Sequence, residues 1–114
     1  MEFGHFSIEA PNGWTVEEDK ENNSVLFYAR DQSEGLSVSI FESKGMSLEE
    51  FAKAKMAEHK GDNLEKSGDA YIFDFNFVGH PSKGFVTGDE KIAFAYVIGK
   101  QGDNWKMLET LKTR

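Results

Sequence analysis

From Ala70 to Val78 the side chains alternate with a period of two. Tyr71, Phe73, Phe75 and Phe77 fall on one side, and Ala70, Ile72, Asp74, Asn76 and Val78 on the other. This alternation predicts a strand. Four rings on one face predict a core beneath it, each ring contributing about 1.5–3 kcal/mol on burial. Lys91–Gly99 repeats the pattern with Ile92, Phe94, Tyr96 and Ile98 on one face and Ala93, Ala95 and Val97 on the other. Two apolar faces predict a strand covered on both sides. Ser24–Arg30 is similar, with Val25, Phe27 and Ala29 opposed by Leu26 and Tyr28. Leu36–Phe41 sets Leu36, Val38 and Ile40 against two serines, and the short loop Asp31–Gly35 joins it to the preceding run as a hairpin. His5–Glu9 and Trp14–Val16 read as short strands around the turn Ala10-Pro11-Asn12-Gly13. Trp14 reads as a plug at the end of the core, and Glu17–Asn23 as a polar loop. Leu64 marks a short strand in an otherwise polar connection.

Ser47-Leu48-Glu49-Glu50 has the form of a capping box. It predicts a helix from Leu48 to His59 or Lys60, stopped by Gly61, with Leu48, Phe51, Ala52, Met56 and His59 as its apolar stripe. His59 reads as a helix-end histidine beside a carbonyl. A second helix is expected over Trp105–Lys112, capped from Gln101–Asn104 and covering Ala93, Ala95 and Val97. Gly79–Gly84 reads as a loop centred on Pro81. Phe85–Thr87 follows as a short strand, and Gly88-Asp89-Glu90 as a tight turn. The expected order is β-β-β-β-α-β-β-β-α, a single domain over residues 1–114. Tight turns between successive strands imply antiparallel pairing, hence an α+β class. The fold class expected is a central antiparallel β-sheet flanked by helices on both faces, an α/β/α sandwich.

The chain has 114 residues, no cysteine and ten phenylalanines. The missing cysteine excludes disulfides and thiol chemistry. Net charge is −7, with the excess acid in the first 69 residues. No basic stripe is present, so nucleic acid is not an expected partner. No apolar run reaches the roughly 20 residues of a membrane helix. Met1–His5 has no basic n-region and no apolar h-region, which reads as cytoplasmic, or as exported if a leader preceded Met1.

No phosphate loop, H-E-x-x-H, EF-hand or nucleophile-elbow pattern occurs, so no catalytic residue, metal or cofactor is expected. His5, His59 and His80 show no ligand spacing. The polar residues that stand out are Asp74 and Asn76, on a strand face that would need partners or a wet cleft if a helix covered it. A groove rimmed by Asp74, Asn76 and the His80 loop is the candidate ligand- or partner-binding site.

Three stretches occur in a recognisable order: F-S-I-x-A-P-x-G-W at Phe6–Trp14, S-L-E-E-F-A-K at Ser47–Lys53, and M-L-E-T-L at Met107–Leu111. Together they resemble the PsbP-like family, which includes the extrinsic photosystem II protein, the Ran-binding nuclear-import factor and many small bacterial proteins. The resemblance implies an antiparallel sheet between helices, and a binding or assembly role without chemistry. It carries over no functional residue. The expected function is therefore a non-enzymatic binding or protein-interaction domain with a protein partner. The alternative is a small enzyme or carrier for an apolar molecule held in a sheet–helix cleft lined by the aromatic strand.

Overall fold

A computed structural model of the chain describes residues 6–88, 90–99 and 101–113. The elements are β1 (Phe6–Ser7), β2 (Thr15–Asp19), β3 (Ser24–Tyr28), β4 (Glu34–Glu42), α1 (Leu48–Glu58), β5 (Asp62–Ser67), β6 (Ala70–Phe77), β7 (His80–Gly88), β8 (Lys91–Gly99), α2 (Asp103–Leu108) and β9 (Lys112–Thr113). Seven strands form one antiparallel sheet in the order β2-β3-β4-β8-β7-β6-β5, and β1 pairs with β9 in a separate ribbon.

The expected α/β/α sandwich is not what forms. Strands make up 52% of the described residues and helices 16%, and the two helices are short. Widths explain the difference. Seven strands spaced about 4.8 Å apart span roughly 29 Å, whereas a helix with its side chains is about 10 Å across. One helix cannot make a layer on such a sheet. Helix α1 packs on β5, β6 and β7, while α2 packs on β4 and β8. The protein is a mostly β structure, and much of each sheet face lies beyond any helix.

The central strand β8 separates two cores. Ile92 and Phe94 join Phe51, Ala52, Phe73, Phe75 and Val86 under α1. Ala93, Ala95 and Val97 join Val25, Phe27, Leu36, Val38, Met107 and Leu108 on the other side, with Phe6 and Ile8 completing the layer. Trp14 packs at the margin of this second core, as its position after the turn implies.

Helix α1 follows its local code. The Ser47 hydroxyl accepts from the Glu50 amide at 3.1 Å, and Glu49 and Glu50 lie at the positive end of the dipole. Lys60 takes a left-handed φ of 56°. Gly61 then follows where a Cβ would stand 2.5 Å from the Asp74 carbonyl. Helix α2 is shorter than expected and has Gly102 at its N-cap without a side-chain cap bond. Asn104, fully buried, anchors it instead. Its Oδ1 accepts from the Gly102 and Trp105 amides at 2.9 and 2.8 Å. Its Nδ2 donates to the Gly35 carbonyl at 3.0 Å, and its own amide donates to Glu34 Oε1 at 3.0 Å. The last expected helical position, Lys112, lies in β9.

Two expected loops are partly strand. Glu17–Asp19, expected to open a polar loop, continues the short strand begun at Thr15 and pairs with β3; its charges suit an edge strand, whose far side faces water. The loop expected at Gly79–Gly84 is a two-residue turn, Val78-Gly79, with φ of 51° and 80°. These angles suit a type I′ hairpin turn, and β7 pairs with β6 from His80 onward. His5 and Asp89, which belong to the expected first strand and the Gly88–Glu90 turn, lie outside the described residues.

The tip of the Phe73 ring stands over Gly84, its cross-strand partner. A Cβ at Gly84 would sit 2.5 Å from Phe73 Cζ. Gly84→Ala is therefore expected to cost about 1–3 kcal/mol by overpacking, read as a lower urea midpoint at unchanged m-value. Asn104→Ala strips buried backbone groups of their partners and is expected to cost about 2–3 kcal/mol in the same measurement.

Candidate functional site

Cross-strand partners in an antiparallel sheet point to the same face. Asp74 pairs with Lys83, Asn76 with Pro81, and Phe77 with His80. Asp74 and Asn76 therefore share the α2 side of the sheet, while His80 stands with the rings on the α1 side. The three residues do not converge on one groove.

Asp74 is held locally. Asn63 Nδ2 donates to its Oδ2 at 3.1 Å, and Lys83 Nζ lies 3.2 Å from its Oδ1. Asn63 reaches it because β5 is irregular between Asp62 and Glu65, and Asn63 has φ 57°. The Asn63 bond first, and then Lys83, hold the Asp74 carboxyl below its usual range. Asn76 and His80 are exposed.

Under α1 the rings fill the space between sheet and helix. Phe73 stacks on Phe94 with centroids 6.1 Å apart, and Phe73 and Phe75 are 5.7 Å apart. His59, the C-cap of α1, packs its imidazole against Phe75 and Phe94 at 5.1 and 5.2 Å. Lys55, one turn earlier, holds its Nζ 4.2 Å from the Phe41 centroid and 3.2 Å from Glu58. Burial lowers the His59 pKa, Glu58 opposes that shift, and Lys55 adds to it.

A wide recess lies elsewhere. An open cleft of about 910 Å³ runs across the end of the sheet where β6 begins and β7 ends. Ala70, Phe85 and Thr87 line its floor, with Leu108, Leu111 and Thr113 along one wall. Trp105 stands edge-on to Phe85 at 6.5 Å, and Ile72, the cross-strand partner of Phe85, extends the apolar floor. Lys66, Asp69, Glu109 and Lys112 rim the cleft, and among the described residues none of these four charges has an ion-pair partner. Asp74, Asn76 and His80 do not line it. The alternation of β6 and β7 places Ala70, Phe85 and Thr87 on one face. Their exposure depends on where α2 and β9 lie, which no local pattern encodes.

Among the described residues no group of three or more His, Asp or Glu side chains is arranged to hold a metal ion. The cleft offers an apolar floor, hydroxyls and charges of both signs, a surface suited to holding a molecule in place.

No family model and no curated protein matches the chain. A solved structure from Bacteroides thetaiotaomicron VPI-5482 is similar in fold, with a TM-score of 0.63 and 24% sequence identity over 96% of this chain. This chain spans 45% of the length of that one. The likeness supports the arrangement of the strands and carries no activity across.

The two shifted groups act in different pH windows. His59 has a folded pKa below that of the unfolded chain, so the unfolded state binds more protons as pH falls. Its contribution is fully present above the ordinary histidine pKa of about 6.5 and is lost as pH drops from there to the folded pKa. Asp74 contributes above the ordinary carboxyl range, and its contribution is lost as pH falls through the folded pKa. Stability from urea melts is expected to decline between about pH 7 and 5 in the parent chain. His59→Phe is expected to flatten that slope, and Asp74→Asn to leave it intact.

Proposed function

We propose that the chain is a non-enzymatic binding domain that recognises another molecule, with a protein as partner, through the cleft between β6–β7 and the α2–β9 segment. The observation that carries this reading is the cleft itself: about 910 Å³ in size, floored by Phe85 and rimmed by four charges without an ion-pair partner among the described residues. Sites of this volume with apolar linings and a few polar groups are the usual form of a binding pocket. An unsatisfied charge at a rim favours specificity and encounter more than raw affinity. The resemblance of Phe6–Trp14 and Ser47–Lys53 to PsbP-like sequences points the same way. An apolar ligand among the rings of β6 has less support, because those rings pack against one another and His59. No helix among the described residues is long and apolar enough to cross a membrane.

The test is an amide chemical-shift screen of the labelled protein against two sets of probes, small organic fragments and short peptides. Binders are expected to move the amides of Phe85, Thr87 and Thr113 together, and Phe85→Asp, which puts a charge on the cleft floor, is expected to abolish the shifts. Binders that map only to other surfaces, or probes that emerge chemically altered, would refute the reading.

A further inference from the structure

We infer that the cleft takes an extended peptide, which adds a strand to the open edge of β9 and lays alternate apolar side chains on Phe85, Ala70 and Ile72. The inference rests on the cleft being the binding site and names the class of its occupant. Three features select an extended strand over a compact ligand.

The first is main-chain valence. Among the described residues strand β9 pairs with β1 alone, at Phe6–Thr113 and Ser7–Lys112. Its residues Lys112 and Thr113 line the cleft. A two-stranded ribbon is marginal by itself, and a third strand is its ordinary completion. The second is the floor. Ala70 pairs with Thr87 and Ile72 with Phe85 on one face of β6 and β7. Side chains of a strand lying above would meet this row at every second residue. The third is charge. Asp69 stands on the β5–β6 side, and Glu109 and Lys112 on the α2–β9 side, none with an ion-pair partner among the described residues, while Lys66, the cross-strand partner of Tyr71, stands on the opposite face of the sheet. A rim that carries both signs is complementary to a peptide that carries both signs between its apolar positions. A fatty acid or an anionic lipid would use one sign at most. A second copy of this chain would bring its net charge of −7 against an equal charge.

The test is selection from a random dodecapeptide library displayed on phage, panned on the protein and counter-selected on Phe85→Asp. Enriched peptides are expected to repeat apolar residues at a spacing of two and to carry both a base and an acid. N-methylation of the peptide backbone at alternate positions is expected to weaken binding about tenfold, through loss of strand hydrogen bonds. Lys112→Glu, at an exposed position of β9 that does not disturb the core, is expected to change the preferred charge of the selected peptides from acidic to basic at one position. This variant keeps the inference open to refutation if Phe85→Asp proves poorly folded by circular dichroism. Enriched peptides without the two-residue spacing, no effect of N-methylation, or an unchanged charge preference on Lys112→Glu would overturn the inference. So would dodecylphosphocholine, or raised protein concentration alone, producing the cleft shifts that peptides fail to produce. If only small fragments bind at Phe85 and Thr87, the binding role stands and the strand fails. If nothing moves those amides, both fail.

Discussion

A seven-stranded antiparallel sheet is nearly three helix widths across, and this chain sets one helix against each core. That mismatch governs the structure. Helix α1 lies on β5–β7 and α2 lies on β4 and β8 on the other side. Each core is therefore sealed locally, by the aromatic layer around Phe73 and Phe94 in one case and by Phe27, Leu36 and Leu108 in the other. Where the helices stop, apolar side chains such as Phe85 and Ile72 are left half-covered, and the cleft follows from that.

The two anchors work in different ways. Under α1 the contact is steric: Phe73 occupies the space above Gly84 that any Cβ would need. Under α2 it is polar: Asn104 ties Gly35, Gly102 and Trp105 together without exposure to solvent. A six-residue helix has little intrinsic stability, so α2 depends on that side chain and on the burial of Met107 and Leu108. Placement of α2 in turn sets the wall of the cleft.

Much of this was legible in the chain, and what was not has physical causes. Ser47 and Glu50 define the start of α1 because capping is local, and the two-residue period of β6 and β8 survives because each strand buries one face under α1. Val78 hid the β6–β7 turn. A β-branched residue is a poor candidate for φ 51°, so the signal lay only in Gly79, and Pro81 drew the loop too far along the chain. The acidic run in β2 read as loop because an edge strand tolerates charge. The sandwich failed because strand count was read without sheet width. Among the site residues, Asp74 and Asn76 share a face as their spacing requires. His80 falls on the opposite one, a consequence of register across the hairpin that becomes visible only once the turn length is known.

The ribbon that walls the cleft joins positions from opposite ends of the described chain, Phe6 to Thr113. Closing so long a loop costs entropy that grows with the logarithm of its length, and among the described residues two cross-strand residue pairs, the Glu9–Thr110 hydrogen bond and the burial of Phe6 and Ile8 hold it shut. The ribbon's pairing is therefore costlier to re-form after a local opening than that of the hairpins of β6, β7 and β8, whose turns are short. A guest that added rungs to the ribbon would slow its fraying, so occupancy would be felt as tighter closure of the chain ends.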